Sequence, residues 1–175
     1  LNDPLGVGDQ LTLALTKAEG LELGQLNYRY PLGVSGLMLD LSRTDLRYEL
    51  VTESAGSDFD GESATNGASL EYPLVRSQQT NIRLGYDWSR DELEDRVNTQ
   101  AYSDKAVTFQ GVTLSADHTD QMFGPAGRTN LSLSPQWGDV ELRTLADGAE
   151  PADELGTEGS FRKAEYSLSR LQSLG

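Results

Sequence analysis

The chain has 175 residues, enough for one domain, and its 37% hydrophobic and 24% charged residues nowhere form the ~20-residue apolar run of a membrane-spanning helix. A formal charge of −14, from 28 acidic and 14 basic residues with no Lys/Arg cluster, excludes ordinary phosphate-backbone binding, so no nucleic-acid partner is expected. With no cysteine, disulfides and thiolate metal sites are excluded too.

The signal along the chain is period two. Successive side chains of a strand point to opposite faces, so a wall between lipid and water alternates strictly. Residues 9–16 place Leu11, Leu13 and Leu15 against Gln10, Thr12 and Thr16. Residues 21–30 end with Leu26, Tyr28 and Tyr30 opposed to Gln25, Asn27 and Arg29. Residues 37–50 alternate in two halves, with Leu39 and Leu41 at odd positions but Leu46, Tyr48 and Leu50 at even ones. Residues 69–75 set Leu70, Tyr72 and Leu74 against Ser69 and Glu71. Residues 81–89 set Ile82, Leu84, Tyr86 and Trp88 against Arg83, Gly85 and Asp87. Residues 105–116 change parity around Gly111, and residues 129–142 change it at Gly138. Residues 162–169 set Ala164, Tyr166 and Leu168 against Lys163, Glu165, Ser167 and Ser169. One extra residue flips a strand's faces, so the parity changes predict β-bulges or strand ends near Ser42–Asp45, Gly111 and Gly138. A helical reading fails, because no stripe at i, i+3, i+4 is continuously apolar.

The links sort into two kinds. Residues 31–36 and 77–80 are short and rich in turn formers, with 118–128 the least tidy of this set. Residues 51–66, 90–104 and 143–158 read as long acidic loops, and all three fall at one end of the sheet. Outer-membrane barrels sort their loops in this way, short on the periplasmic side and long outside. The fold class expected is therefore all-β, an antiparallel transmembrane β-barrel with about eight strands present, in the bacterial outer membrane. Residues 1–175 form one barrel segment; the start Leu1-Asn2-Asp3-Pro4-Leu5-Gly6, without an initiator Met, reads as cut from something longer, as half of a larger barrel.

On this reading the polar set Gln25, Asn27, Arg29, Arg83, Asp87, Lys163 and Glu165 lines the pore. Tyr28, Tyr30, Tyr72, Tyr86 and Trp88 form an aromatic girdle, each ring body in lipid and its polar tip among headgroups. Chemistry-bearing motifs are weak. Asp58-Phe59-Asp60-Gly61-Glu62 lacks the Gly and Glu of a calcium loop at the required positions and reads as a solvated acidic loop. Gly6-Val7-Gly8 lacks the third glycine of a dinucleotide fingerprint. His118, the lone histidine, lies beside Asp117 and Asp120 without a nucleophile elbow anywhere, and reads as a polar strand end. No enzyme, metal or cofactor is expected.

Several stretches then occur in an informative order: Asn2-Asp3-Pro4-Leu5-Gly6-Val7-Gly8-Asp9-Gln10-Leu11, Glu19-Gly20-Leu21-Glu22-Leu23-Gly24, Tyr30-Pro31-Leu32-Gly33, Gly159-Ser160-Phe161-Arg162-Lys163 and Leu168-Ser169-Arg170-Leu171-Gln172. Together they resemble the barrel of two-partner secretion transporters, the haemolysin-activator and filamentous-haemagglutinin-transporter family of the Omp85 superfamily. The resemblance implies a barrel of about sixteen strands, of which this segment supplies roughly the third to tenth. It implies a secreted exoprotein, a haemolysin or adhesin, passing unfolded through the pore without nucleotide. The lipid bilayer, lipopolysaccharide and the barrel-assembly machinery are the further partners implied. The family's two POTRA domains, its C-terminal half and its Val-Arg-Gly-Tyr pore loop lie outside the segment. The alternative is a self-contained eight-stranded barrel with a structural or adhesive role.

Overall fold

The computed structural model describes residues 1–51, 58–98, 100–122, 124–143 and 156–173. They form one eight-stranded antiparallel meander: β1 (Gln10–Ala18), β2 (Leu21–Leu32), β3 (Leu37–Val51), β4 (Asp58–Arg76), β5 (Thr80–Val97), β6 (Gln100–Asp120), β7 (Gly127–Leu142) and β8 (Gly159–Gln172). Each strand pairs only with its sequence neighbours, so β1 and β8 are the two edges and the sheet does not close. An eight-stranded closed barrel would need those edges paired, and among the described residues they are not.

The ladders fix which residues share a face. Leu13 faces Leu26, which faces Arg43, and the row continues through Asn66, Arg90, Thr108, Asp139 and Ser160. On this face the apolar residues form a band that crosses the rows obliquely. Its centre is Leu13 on β1 but Tyr166 on β8, six residues from Ser160. With ~3.4 Å per residue along a strand and ~4.8 Å between strands, that drift corresponds to a strand tilt of roughly 30°. Closed barrels tilt their strands by about 35–45°, so the band runs nearly level once the sheet is stood as a barrel wall.

Parity does not change through bulges. The register is unbroken across Ser42–Asp45, across Gly111 and across Gly138, and the three bulges expected there are absent. What changes is the surroundings. Beyond Trp88 and Trp137 the band gives way, on the same face, to charged side chains such as Arg43, Asp45, Arg90, Glu92, Glu141 and Arg143. At the same level the other face turns apolar, with Leu46, Leu93, Phe109, Val140, Leu142 and Phe161. The strands therefore run past the apolar band into a zone where the outer surface suits water.

For the same reason two of the expected acidic loops are mostly strand. Residues 58–66 belong to β4, and residues 90–97 and 100–104 belong to β5 and β6, joined by a tight turn at Asn98 (φ 49°). Asp60 and Glu62 are ladder residues opposite Arg96 and Glu94, not loop carboxylates. The link at 52–57 and most of 143–158 lie outside the described residues.

The register shifts occur elsewhere. On β4 the ladder skips Leu74 between Pro73 and Val75, beside a proline that has no N–H to give. On β6 it skips one residue opposite Asp95/Arg96, next to the turn at Asn98. Pro135 leaves a milder trace: the β6–β7 ladder lapses at Val112 and Thr113 but resumes in register.

Residues 1–9 fold back on the start of β1. Leu11 N–H donates to Leu1 O (2.9 Å), and Gly8 N–H donates to Asp3 Oδ1 (2.6 Å). The fully buried Asp9 carboxylate accepts from Leu5 N–H (3.1 Å) and from the Tyr28 hydroxyl (2.8 Å). Gly6 (φ 75°) and Gly8 (φ 84°) take the left-handed conformations this turn demands, which is a physical reason for the Gly-Val-Gly-Asp wording.

Candidate pore-lining face

The face opposite the apolar band carries every residue expected on sequence grounds to line a pore. Gln25, Asn27 and Arg29 lie on it from β2, Arg83 and Asp87 from β5, Lys163 and Glu165 from β8. Arg29, Asp87 and Lys163 even share one cross-strand row, which runs Arg29, Asp40, Ser69, Asp87, Gly111, Gln136, Lys163. They do not touch, because other strands stand between them.

Instead each cation finds a carboxylate nearby. Arg29 Nε donates to Asp40 Oδ1 at 2.6 Å, directly across the β2–β3 ladder. Asp117 is approached by Arg83 (4.0 Å) and Arg128 (3.7 Å), and accepts from Asn81 Nδ2 at 3.0 Å. Lys163 pairs with Glu165 two residues on. Asp40, Asp117 and Arg128 are not among the pore-lining residues read from the sequence, although their parity places them on this face. Between the charged groups the surface is small and polar: Ser42, Gly67, Ser69, Gly85, Thr113 and Ser115 border an open hollow of about 660 Å³. Thr113 Oγ1 and Ser134 Oγ are 3.0 Å apart. Such a wall offers hydrogen bonds and balanced charge to a hydrated path.

The aromatic set lies on the apolar face throughout: Tyr28 and Tyr30 on β2, Tyr72 on β4, Tyr86 and Trp88 on β5. Tyr30 and Tyr72 sit toward the short turns, and Trp88 borders the charged rows. Trp137 shares the Trp88 row through Gln110, and same-face parity on β7 is the signal that marks it. Tyr86 lies within the band, its hydroxyl donating to Gln110 Oε1 at 2.9 Å. Tyr28 is drawn to Asp9, with its ring 6.2 Å from that of Tyr30.

Ion pairs knit the charged rows above Trp88 and Trp137. Arg143 Nη2 lies 2.6 Å from Glu92 Oε1, and Arg90 is 3.4 Å from Glu92 and 3.6 Å from Glu141. Arg96 reaches Glu94 (2.9 Å), Glu62 (3.5 Å) and Asp60 (3.6 Å). Arg143, then Arg90, hold the Glu92 carboxyl below its ordinary range. His118 Nδ1 lies 2.8 Å from Thr80 Oγ1, while its neighbour Asp117 points to the opposite face.

At the short-turn end, Arg170 grips Asp120 with two nitrogens, at 2.7 and 2.9 Å, and reaches Thr129 and Gln172 as well. Arg170 first, then the Met122 N–H, holds the Asp120 carboxyl far below the usual carboxylate range. A lowered folded-state value means that the clasp stabilises fully above the ordinary carboxyl pKa of ~3.9 and fades only as pH falls beneath it. Asp120→Asn is therefore expected to lower the urea midpoint of the intact protein at pH 7, with the deficit shrinking below pH ~4. A deficit unchanged down to pH 2 would show that the clasp is not ionic.

A profile of the haemolysin secretion/activation protein ShlB/FhaC/HecB family matches residues 1–174. The chain belongs to this family. No curated protein and no solved structure matches it. For a ShlB/FhaC/HecB-family chain the work in view is the secretion and activation of exoproteins in two-partner secretion. Proteins of this family are outer-membrane proteins, and an open antiparallel sheet with an apolar band on one face has the form of part of a β-barrel.

Proposed function

We propose that this chain forms part of the wall of an outer-membrane pore through which a large exoprotein passes unfolded, driven without nucleotide. One observation carries the reading: a single sheet presents a level apolar band on one face and a small, polar, ion-paired surface directly behind it. That pairing suits a wall with hydrocarbon outside and water inside. Gln25, Asn27, Arg29, Arg83, Asp87, Lys163 and Glu165 then line the lumen, and Tyr28, Tyr30, Tyr72 and Trp88 form the girdle, with Tyr86 inside the band between its borders. Trp88 and Trp137 mark the outer border, with lipopolysaccharide beside the charged rows above them. Insertion falls to the barrel-assembly machinery, which must close such a sheet against further strands, since two bare edges invite aggregation. Residues 1–175 act as one barrel segment of the transporter.

The absence of cysteine in this segment makes the test direct. In the intact secretion protein, single cysteines at Leu131, Ser132, Leu133 and Ser134 are treated with a membrane-impermeant thiol reagent. Ser132→Cys and Ser134→Cys are expected to label and, with a bulky adduct, to slow release of the exoprotein. Leu131→Cys and Leu133→Cys are expected to stay unlabelled. Uniform labelling of all four positions, or labelling without effect on secretion, would sink the pore-wall reading.

A further inference from the structure

Beyond the apolar band the inner face has no obvious reason to be hydrophobic if its sole task is to line a watery path. Yet Leu23, Leu46, Leu93, Phe109, Val140 and Leu142, drawn from β2, β3, β5, β6 and β7, all lie there past the Trp88/Trp137 border. Leu23, Leu46, Leu93 and Leu142 share one cross-strand row, and the strand tilt makes that row climb away from the band between β2 and β7. They make an apolar collar above a lumen lined almost wholly by polar side chains and glycine. It is interrupted by Ser63, Asp91 and Lys105. Its outer surface is taken up by the ion pairs of Arg43, Arg90, Arg96 and Arg143. An apolar partner can therefore dock only from inside.

Resting on the pore-wall reading, we infer that this collar receives the exoprotein chain as it leaves the pore, seating apolar side chains of an extended segment. The collar is continuous with the lumen beneath it, and a chain moving outward meets it first on leaving the membrane level. The polar wall below gives apolar side chains nothing to bind, so a passing segment slides. At the collar each seated Leu or Val side chain removes apolar surface from water, which favours the seated state. Several such contacts oppose back-sliding without any energy source. The occupant is thus an unfolded polypeptide with apolar residues at alternate positions, matching the two-residue period of the strands that form the collar.

The test uses the intact transporter with its exoprotein stalled by a folded fusion domain. A photoreactive phenylalanine analogue replaces, one at a time, Phe109 and Leu93 in the collar, Ser132 in the lumen and Glu94 on the outer face. Exoprotein adducts are expected at Phe109, Leu93 and Ser132, and none at Glu94. Adducts at Ser132 with only internal adducts at Phe109 and Leu93 would mean that the transporter's own chain fills the collar, overturning this inference while the pore stands. No exoprotein adduct anywhere, with secretion intact, would overturn the pore itself. Leu46→Asn/Leu93→Asn/Leu142→Asn is expected to cut the secretion rate several-fold at equal surface level and equal heat-modifiable gel migration. An unchanged rate would also overturn the inference.

Discussion

Replacing Leu133 by arginine is expected to destabilise the intact barrel by about 2–4 kcal/mol, the cost of a cation on the lipid face near the midplane. Leu133 lies near the centre of the apolar band on β7, between Leu114 of β6 and Tyr166 of β8. Two controls make the result specific. Ser132→Arg, one residue away, turns its charge to the opposite face, where Arg128 is already accommodated, and is expected to cost far less. Asp139→Arg keeps the face of Leu133 but moves six residues along the strand, into the charged rows opposite Thr108 and Ser160, and is expected to be close to neutral. The measurement is urea unfolding in lipid vesicles. Equal losses at Leu133 and Asp139 would contradict the placement of the band's border, and equal losses at Leu133 and Ser132 would contradict the assignment of faces.

The second large effect is expected at a glycine with no room for a methyl group. A Cβ on Gly138 would come within 2.5 Å of the Phe161 ring and, more seriously, within 2.5 Å of the Thr108 carbonyl oxygen. The ring can turn, but the carbonyl is held in the ladder beside Phe109. Gly138→Ala should therefore force the β6–β7 pair apart locally and cost about 1–3 kcal/mol, as overpacking does elsewhere. Gly61→Ala is related but softer: the new carbon would meet the Tyr48 ring at 2.6 Å, displacing it from Asp95, to which its hydroxyl donates at 2.6 Å. Gly85→Ala is the contrasting case, its nearest neighbours standing at 3.8 Å, and is expected to be tolerated. Refolding yield and urea midpoint separate the three. If Gly85→Ala proves as harmful as Gly138→Ala, close approach is not the reason for glycine at 138.

The apolar band was legible because alternation is a local property: Leu131, Leu133 and Trp137 declare one face of β7 with no knowledge of what stands beside them. The polar face followed automatically, though without its pairings. That Arg29 meets Asp40 depends on the β2–β3 register, and that Arg83 meets Asp117 depends on the β5–β6 register. The parity change was the misleading element. An extra residue and a change of surroundings leave the same mark on a single strand, and only the unbroken pairing of Phe109 with Gly138 and Ser89 tells them apart. Charged strands were mistaken for loops by the same blindness. Residues 90–96 look like a solvated run until Arg96 is seen opposite Asp60 and Glu94 opposite Glu62. The regular alternation of Leu70, Tyr72 and Leu74 fails at Pro73: the ladder skips Leu74, and Val75 takes the place opposite Ile82.

The ion-paired rows also bear on how deep the protein sits. Hydrocarbon that rose past Trp88 and Trp137 would have to swallow Arg90, Glu92 and Glu141 together, each held by the others, whereas hydrocarbon that thinned would expose only a few Leu and Val side chains. The penalty for mismatch is therefore lopsided: steep in a thick bilayer, gentle in a thin one. A wall built this way is suited to the thinner-than-average outer membrane and resists being sorted into any thicker one.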